Sequence, residues 1–276
     1  MEFRDVATPI SILEQAEHYQ FTHALQGLLP SKLKAQTLKN VLDLHCRTGR
    51  WALDFAQTYP QANVTGLDQM PEVIALARKS AATGNLSRVQ FYTAKLSEPL
   101  LLANSTFDHV HCFGFRYSLS PRHWQPLLGE CKRVMRPGAS IHLLSFMPGL
   151  TSSRAFQRLW QLTDELTTLI NYDFIKGLKH SSPGVYFCSL LHEVGFVNVE
   201  YELFPLDMGG VEDPRNRSCC QLFYNDLLIT RSMFIKFQLV SESEFDELLD
   251  QYQQDYFSAD FCGGGALISA YALKKK

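Results

Sequence analysis

Short apolar runs alternate with longer segments of helical period between residues 40 and 146. This alternation is typical of strand–helix–strand units that build a parallel sheet. The pattern predicts strands at 40–44, 63–68, 89–93, 107–113 and 140–146, and helices at 49–59, 71–83 and 123–135. Pro71 suits the start of the second helix, and Arg136-Pro-Gly138 is expected to end the third. We therefore predict a doubly wound α/β core.

Helical patterns dominate after residue 146. The predicted helices are 153–169, 184–194, 217–235 and 243–256, and the predicted strands are 197–204 and 266–273. The chain has neither an internal repeat nor a Pro/Ser-rich linker, which favours a single domain over residues 1–276. Within it we expect an N-terminal helical segment (1–39), a cofactor-binding core (40–146) and helical cap insertions (150–183 and 207–262). We expect a sheet of seven strands, six parallel and one antiparallel, with the cap over its carboxyl edge.

Composition narrows the class of protein without giving a function. The chain has 276 residues, 46% of them hydrophobic and 20% charged, which is ordinary globular usage. A formal charge of −2 gives no overall electrostatic reason to bind nucleic acid or an anionic membrane, and the basic run Lys274–Lys276 is short. The seven cysteines include no C-x-x-C pair, and neither a signal peptide nor a membrane span is evident. We expect a cytoplasmic protein without a metal site, with a small-molecule substrate.

A wound sheet binds its ligand outside the carboxyl ends of its strands, where the winding reverses. The residues that follow strands one to four are 44–50, 68–70, 94–96 and 112–117. Asp68 lies about 25 positions after Asp43, near the interval at which a carboxylate accepts hydrogen bonds from a ribose. The turn from Asp43 to Gly49 directs backbone N–H groups and a helix N-terminus toward the crevice, which suits a carboxylate ligand. Alternatively, Asp68 is a helix N-cap before Pro71, and Asp43 caps its own turn.

Four segments carry a family resemblance: Val41-Leu-Asp-Leu-His-Cys-Arg-Thr-Gly-Arg-Trp-Ala-Leu53, Val64-Thr-Gly-Leu-Asp68, 104–108 and 128–138. In order and approximate spacing they resemble the motifs of class I S-adenosylmethionine-dependent methyltransferases. The whole chain, including 244–246 and 260–262, is similar to bacterial methyltransferase-domain proteins that act on small molecules. The resemblance implies a Rossmann-like sheet, S-adenosylmethionine as cofactor, and methyl transfer to an O, N or C nucleophile.

Two features depart from the family pattern. The loop after the first strand usually carries three glycines, and this chain has His45 and Arg47 at two of those positions, with Gly49 at the third. Glycine permits unusual backbone angles and a close approach of the cofactor. The two side chains either obstruct the methionine moiety, or Arg47 takes over the binding of its carboxylate. After strand three the family commonly has an Asp that accepts from the adenine amino group, but Lys95 has only donors.

The resemblance assigns the cofactor to ten residues that follow strands one to four: Asp43, His45, Cys46, Arg47, Gly49, Asp68, Gln69, Lys95, Leu96 and Cys112. Methyl transfer from a sulfonium is an in-line displacement, so a dedicated base is optional. The weak candidates for a base are His111, Tyr117 and His123. At least one of the alternating pair His109 and His111 is expected to be a core histidine bonded to backbone groups.

Two hypotheses of function follow from these residues. The first is an enzyme that methylates a small, fairly apolar molecule. The acceptor class is inferred from aromatic residues of the cap region, which are Tyr172, Phe174, Tyr186, Phe187, Phe223, Tyr224 and Phe234. The second is a protein of the same fold that no longer methylates, and acts as the partner subunit of an active homologue or as an enzyme of another reaction class. The departures favour the second hypothesis, whereas Asp43, Gly49 and Asp68 favour the first. A homodimer is compatible with both.

Overall fold

The computed structural model describes residues 7–113, 119, 121–170, 183–209 and 214–276. The chain forms two compact units. The first comprises Met1–Phe146, Pro183–Phe204 and Leu267–Lys276, and the second comprises Met147–Ser182 and Pro205–Ala266. The second unit nearly coincides with the two segments assigned to a cap, although their position over the carboxyl edge stays a prediction. Among the described residues, no helix is both long enough and apolar enough to cross a membrane.

The wound core has the elements that the apolar pattern predicted. Helix α1 (Ala7–Ala24) precedes it, followed by a short 3₁₀ turn at Ala35–Thr37. The core elements are β1 (Asn40–Leu44), α2 (Arg50–Thr58), β2 (Asn63–Asp68), α3 (Pro71–Thr83), β3 (Val89–Thr93), β4 (Phe107–Phe113) and α4 (Trp124–Val134). Pro71 lies at the N-terminus of α3, as its fixed φ suggests. The strands are nearly continuous apolar runs, and the residues from Val41 to Leu44 are all buried.

The remaining elements complete a mixed sheet. They are β5 (Met135–Thr151), α5 (Arg154–Ile170), α6 (Phe187–Val194), β6 (Val197–Asp207), α7 (Pro214–Lys236), α8 (Glu242–Tyr256) and β7 (Gly263–Leu273). The described strands form one seven-stranded sheet in the order β3-β2-β1-β4-β5-β7-β6, which confirms the predicted fold class. The pairs from β3 through β5 are parallel.

Strand β7 runs antiparallel to β5. Gly138 N–H donates to Lys274 O (2.9 Å), whereas Ser152 N–H donates to Cys262 O (2.8 Å). Residue numbers therefore rise along β5 as they fall along β7, in agreement with a single antiparallel strand in the predicted sheet.

The predicted boundary between α4 and β5 is wrong. Helix α4 ends at Val134 and the strand begins at Met135, so Arg136-Pro-Gly138 belongs to β5 and does not end the helix. The pairing with β4 shifts register here, because Phe107 lies opposite Met135 whereas His109 lies opposite Ser140. A bulge of this kind accommodates proline and a left-handed glycine in a strand, and Gly138 has a φ of 80°.

Candidate cofactor site

The turn between β1 and α2 holds three residues in the left-handed region of backbone space. The angle φ is 57° at His45, 51° at Arg47 and 81° at Gly49. Glycine adopts such angles without a steric cost, whereas a residue with a Cβ is destabilised by about 1–2 kcal/mol. The loop therefore has the backbone that glycine permits at positions 45 and 47, with two side chains added to it.

Specific contacts hold these two side chains. Nδ1 of His45 donates to the carbonyl oxygen of Phe113 (3.2 Å), and Arg47 N–H donates to Oδ2 of Asp68 (3.1 Å). The Arg47 guanidinium pairs with the carboxylate of Glu17 and lies 5.6 Å from the centroid of the Phe113 ring. Burial, followed by the charge of Arg47, lowers the pKa of His45 to about 4, so its imidazole is neutral at pH 7. These contacts offset the backbone strain of the loop.

A carboxylate from α1 lies on the N-terminus of α2. Glu14, which is only 7% exposed, accepts from Thr48 N–H (3.0 Å), from the Thr48 hydroxyl and from Arg50 N–H (3.4 Å). Burial raises the pKa of Glu14, and Arg47 and the Thr48 hydrogen bonds act in the opposite direction. The unpaired N–H groups and the dipole of a helix N-terminus favour a carboxylate at this place.

The two predicted aspartates have different surroundings. Asp68 accepts from Arg47 N–H through Oδ2 and from Met70 N–H (2.9 Å) through Oδ1. Met70, and not Asp68, is the N-cap of α3, so the capping interpretation is wrong. Asp43 is 3% exposed, and its Oδ2 has no hydrogen-bond partner within the described parts of the chain. Burial, and then the charges of Glu14 and Asp68, raise the pKa of Asp43 well above its ordinary value.

Five of the predicted site residues line one cavity of about 50 Å³ in the first unit. They are Asp43, His45, Cys46, Arg47 and His111. Such a volume has room for a few water molecules. The cavity also contains residues that the sequence analysis missed, among them Glu14, Glu17, His18 and Phe21 of α1, Trp51 of α2, and Phe113 of β4. The only sequence signal for the α1 residues is their helical spacing, which places 14, 17, 18 and 21 on one face.

The buried histidines are held mainly by side chains. The imidazole of His111 stacks on the indole of Trp51, with centroids 3.8 Å apart and planes at 6°. His109 bonds Ser140 Oγ (2.8 Å) and His142 bonds Ser269 Oγ (3.0 Å), so His109 is a buried core histidine, as expected of one of the pair, with a side chain as its partner. Burial is the main cause that lowers the pKa of His111 well below its ordinary value. His111 therefore forms part of the cavity wall, and its lowered pKa makes it a weak base.

A second histidine reaches the cavity from α1. Nε2 of His18 lies 2.8 Å from Oδ2 of Asp54, and hydrogen bonds with His18 and Arg50 lower the pKa of that carboxyl despite its partial burial. A carboxylate that orients an imidazole in this way is common where the imidazole handles a proton.

The other predicted residues that the structure describes do not line the cavity. Lys95 is exposed and pairs with Glu98 (3.1 Å), and Gln69 is also exposed. Leu96 is buried. Cys112 is buried too, and burial raises the pKa of its thiol well above the ordinary value. His123 is the N-cap of α4. Tyr117, Tyr172 and Phe174 lie outside the described residues. Phe187, Phe223 and Phe234 are buried core residues.

Comparison with known proteins identifies the core. Residues 41–138 match the methyltransferase domain family, and this segment contains β1, the strained loop and Asp68. Over this segment, which is about a third of its length, the chain is similar to methyltransferase domains. The matched segment ends in β5, so it includes the first five strands of the sheet up to the bulge at Gly138.

Several methyltransferases are similar to the chain. A demethylmenaquinone methyltransferase of Thermus thermophilus is 35% identical over 128 residues, which are 44% of this chain and 56% of that enzyme. A trans-aconitate 2-methyltransferase of Deinococcus radiodurans is 27% identical over 71% of this chain and 75% of that enzyme. The phosphoethanolamine N-methyltransferase 2 of Haemonchus contortus, solved with S-adenosyl-L-methionine, has a TM-score of 0.58 at 17% identity, with 100% of this chain and 60% of that chain covered. The chain spans about half the length of the demethylmenaquinone methyltransferases that it matches.

Proposed function

We propose that this protein is an S-adenosylmethionine-dependent methyltransferase that transfers a methyl group to an O, N or C nucleophile of a small, fairly apolar molecule. One observation carries the proposal. The methyltransferase domain keeps the left-handed backbone at 45, 47 and 49, although only one of these residues is a glycine. A strained backbone persists where the surrounding structure enforces it, and such residues cluster at functional sites.

The residues of the loop fit the proposed cofactor chemically. Asp43 has a buried Oδ2 without a partner among the described residues, and an ammonium beside it would favour the charged carboxylate that burial and the neighbouring acids now disfavour. The N–H groups of Thr48 and Arg50 are donors for a carboxylate, and they already hold one, that of Glu14. Asp68 lies at the end of β2, where a carboxylate accepts from the ribose hydroxyls of an adenosine cofactor.

The cofactor, when bound, supplies an electrophilic methyl group on a sulfonium. The chain supplies position and exclusion of water. Phe21, Trp51 and Phe113 give the cavity apolar walls. The proton of an acceptor hydroxyl or amine is best taken by His18, because Asp54 fixes its ring, whereas burial lowers the pKa of His111 and makes it a weaker base. His18 therefore replaces the predicted His111, Tyr117 and His123 as the proposed base.

The expected cellular context forms part of the proposal. We infer a cytoplasmic protein that acts on a small molecule, binds neither nucleic acid nor membrane, and forms a homodimer or pairs with a homologue. A formal charge of −2 supports the expectation that the protein binds neither nucleic acid nor an anionic membrane, since it gives no general attraction to polyanions.

Isothermal titration calorimetry of the full chain with S-adenosylmethionine and S-adenosylhomocysteine tests the cofactor. Incubation with methyl-labelled S-adenosylmethionine and pools of small phenols, amines and carboxylic acids, read by mass spectrometry, tests the transfer. Binding followed by a labelled product supports the proposal. Binding without transfer to any pool would favour the partner subunit or another reaction class. Absence of binding in the parent chain and in variants with a freed loop would refute the methyltransferase assignment.

A further inference from the structure

Helix α1 supplies the cap that α2 lacks. The N-cap residue of α2 is Gly49, which has no side chain, and α2 has nine residues. Glu14 accepts from the N–H groups of Thr48 and Arg50, although it lies 36 positions before Arg50. A carboxylate at this place uses the donors and the dipole that a bound anion would use. The N-terminal segment therefore already occupies the anion-binding end of the cofactor loop.

Successive turns of α1 repeat the attachment. Glu17, three residues after Glu14, pairs with the Arg47 guanidinium. Phe21, one turn further, packs on Phe113 with ring centroids 4.5 Å apart. Residues three and four positions apart share one helix face, so a single face of α1 covers the loop and the end of β4.

The cavity beneath this face has the polar groups that an amino-acid ligand would bind, and only its donors have a partner. A free amino-acid group carries a carboxylate and an ammonium. The donors at α2 suit the carboxylate, and Asp43 suits the ammonium. Glu14 provides a carboxylate but no ammonium, and Asp43 Oδ2 is accordingly without a donor among the described residues. The cavity of about 50 Å³ has room for only a few water molecules, so an amino-acid group needs the volume that Glu14 now fills.

We propose that Glu14 and Glu17 form an intrasteric latch, in which the Glu14 carboxylate stands in the place of the cofactor's amino-acid carboxylate. The structure represents the latched state. The cofactor binds with full affinity only when α1 releases Thr48 and Arg50, and any partner or modification that draws α1 away would activate the protein. This inference rests on the proposed function, because it assumes that the loop receives S-adenosylmethionine.

The test compares two nucleosides on the full-length chain by calorimetry. S-adenosylhomocysteine has the amino-acid group, whereas 5′-methylthioadenosine has the same adenine, ribose and thioether without it. Glu14→Gln removes the charge of the latch and keeps the size of the side chain. Glu72→Gln is the matched control, because Glu72 is an exposed acid in the first turn of α3. We expect Glu14→Gln to bind S-adenosylhomocysteine about ten- to a hundredfold more tightly, with unchanged binding of methylthioadenosine. We expect Glu72→Gln to match the parent.

Hydrogen exchange gives a second readout that is independent of the variants. Binding of S-adenosylhomocysteine to the parent chain should increase amide exchange across residues 14–24, because α1 is displaced. A ligand that binds under an undisturbed α1 would slow the exchange there. Tight binding by the parent that Glu14→Gln does not improve, or protection of α1, would overturn the latch and leave the proposed function intact. Absence of binding of both nucleosides to every variant would overturn both.

Discussion

The aromatic ring of Phe91 packs against the loop between β1 and α2, and this contact gives a sharp test of the structure. Phe91 of β3 is 3% exposed and lies against Gly49 of the loop and Gly66 of β2. A Cβ added at Gly49 would lie 2.7 Å from Cε1 of Phe91, and one added at Gly66 would lie 2.6 Å from the same atom. Gly49 also has a φ of 81°, whereas Gly66 has no left-handed strain to add. The two positions therefore separate the steric and backbone costs.

Three alanine substitutions resolve these costs. Gly138→Ala adds only backbone strain, since its φ is 80° and the nearest heavy atom would be 3.6 Å away. Left-handed strain costs about 1–2 kcal/mol, overpacking about 1–3 kcal/mol, and the loss of glycine entropy in the unfolded chain returns about 0.4–1 kcal/mol. From the midpoints of these ranges we expect a loss of about 0.8 kcal/mol for Gly138→Ala, about 1.3 kcal/mol for Gly66→Ala and about 2.8 kcal/mol for Gly49→Ala.

Urea unfolding followed by tryptophan fluorescence measures these losses. Trp160→Phe is the background, because the remaining Trp51 and Trp124 both belong to the first unit. Phe91→Leu should recover at least about 1 kcal/mol in combination with Gly49→Ala and nothing in combination with Gly138→Ala. Equal losses for Gly49→Ala and Gly138→Ala, or the absence of coupling to Phe91, would refute the role of the ring.

Three further predictions concern the ligand and pH. Asp68→Asn should weaken S-adenosylhomocysteine about ten- to a hundredfold by calorimetry, and unchanged affinity would exclude a contact with the ribose. Lys95→Asp should strengthen it roughly three- to tenfold without a change in stability, because Lys95 is exposed, and no gain would show that the adenine lies elsewhere. Burial lowers the pKa of His45 to about 4 and that of His109 to about 3, so the unfolded chain binds more protons below pH 6.5 and stability should fall as the pH falls from about 6.5 to about 4. The raised pKa values of Glu14 and Asp43 change stability with pH in the opposite direction, so the test compares the parent with His109→Asn. This variant should reduce the slope of the unfolding free energy against pH by about 1.4 kcal/mol per pH unit. An unchanged slope would contradict the prediction.

Local sequence patterns predicted the elements of the core because the residues within each segment determine whether it forms a strand or a helix. The bounds of β1, β2, α3, β3 and β4 follow from apolar runs and from the proline that starts α3. The error at Arg136-Pro-Gly138 has the same origin, since proline and glycine signal a helix end unless a bulge in the neighbouring pair accepts them. The bulge depends on the partner strand, which a single segment does not reveal.

The site was predicted only in part, for a physical reason. The motif located Asp43, the loop and Asp68 because these residues follow directly from strand order. Glu14 and Thr48 lie 34 positions apart in the sequence. The sequence of α1 indicates only that one of its faces is partly apolar, so it does not predict this contact. The assignment of Lys95 to the adenine stays a prediction, and its exposed side chain pairs with Glu98.

The strain of the loop and the contacts of α1 belong to one arrangement. A plain turn at 45 and 47 would be less strained with glycine, by about 1–2 kcal/mol at each position. The side chains present there make contacts that glycine could not make, since His45 reaches the end of β4 and Arg47 binds Glu17 of α1. The backbone thus keeps the left-handed angles that glycine would adopt freely, while the Arg47 side chain attaches the loop to α1. Under the proposed function, a loop with left-handed angles that is tied to its own N-terminal helix is what the latch requires, and the calorimetric comparison of Glu14→Gln with the parent separates this arrangement from an abandoned site.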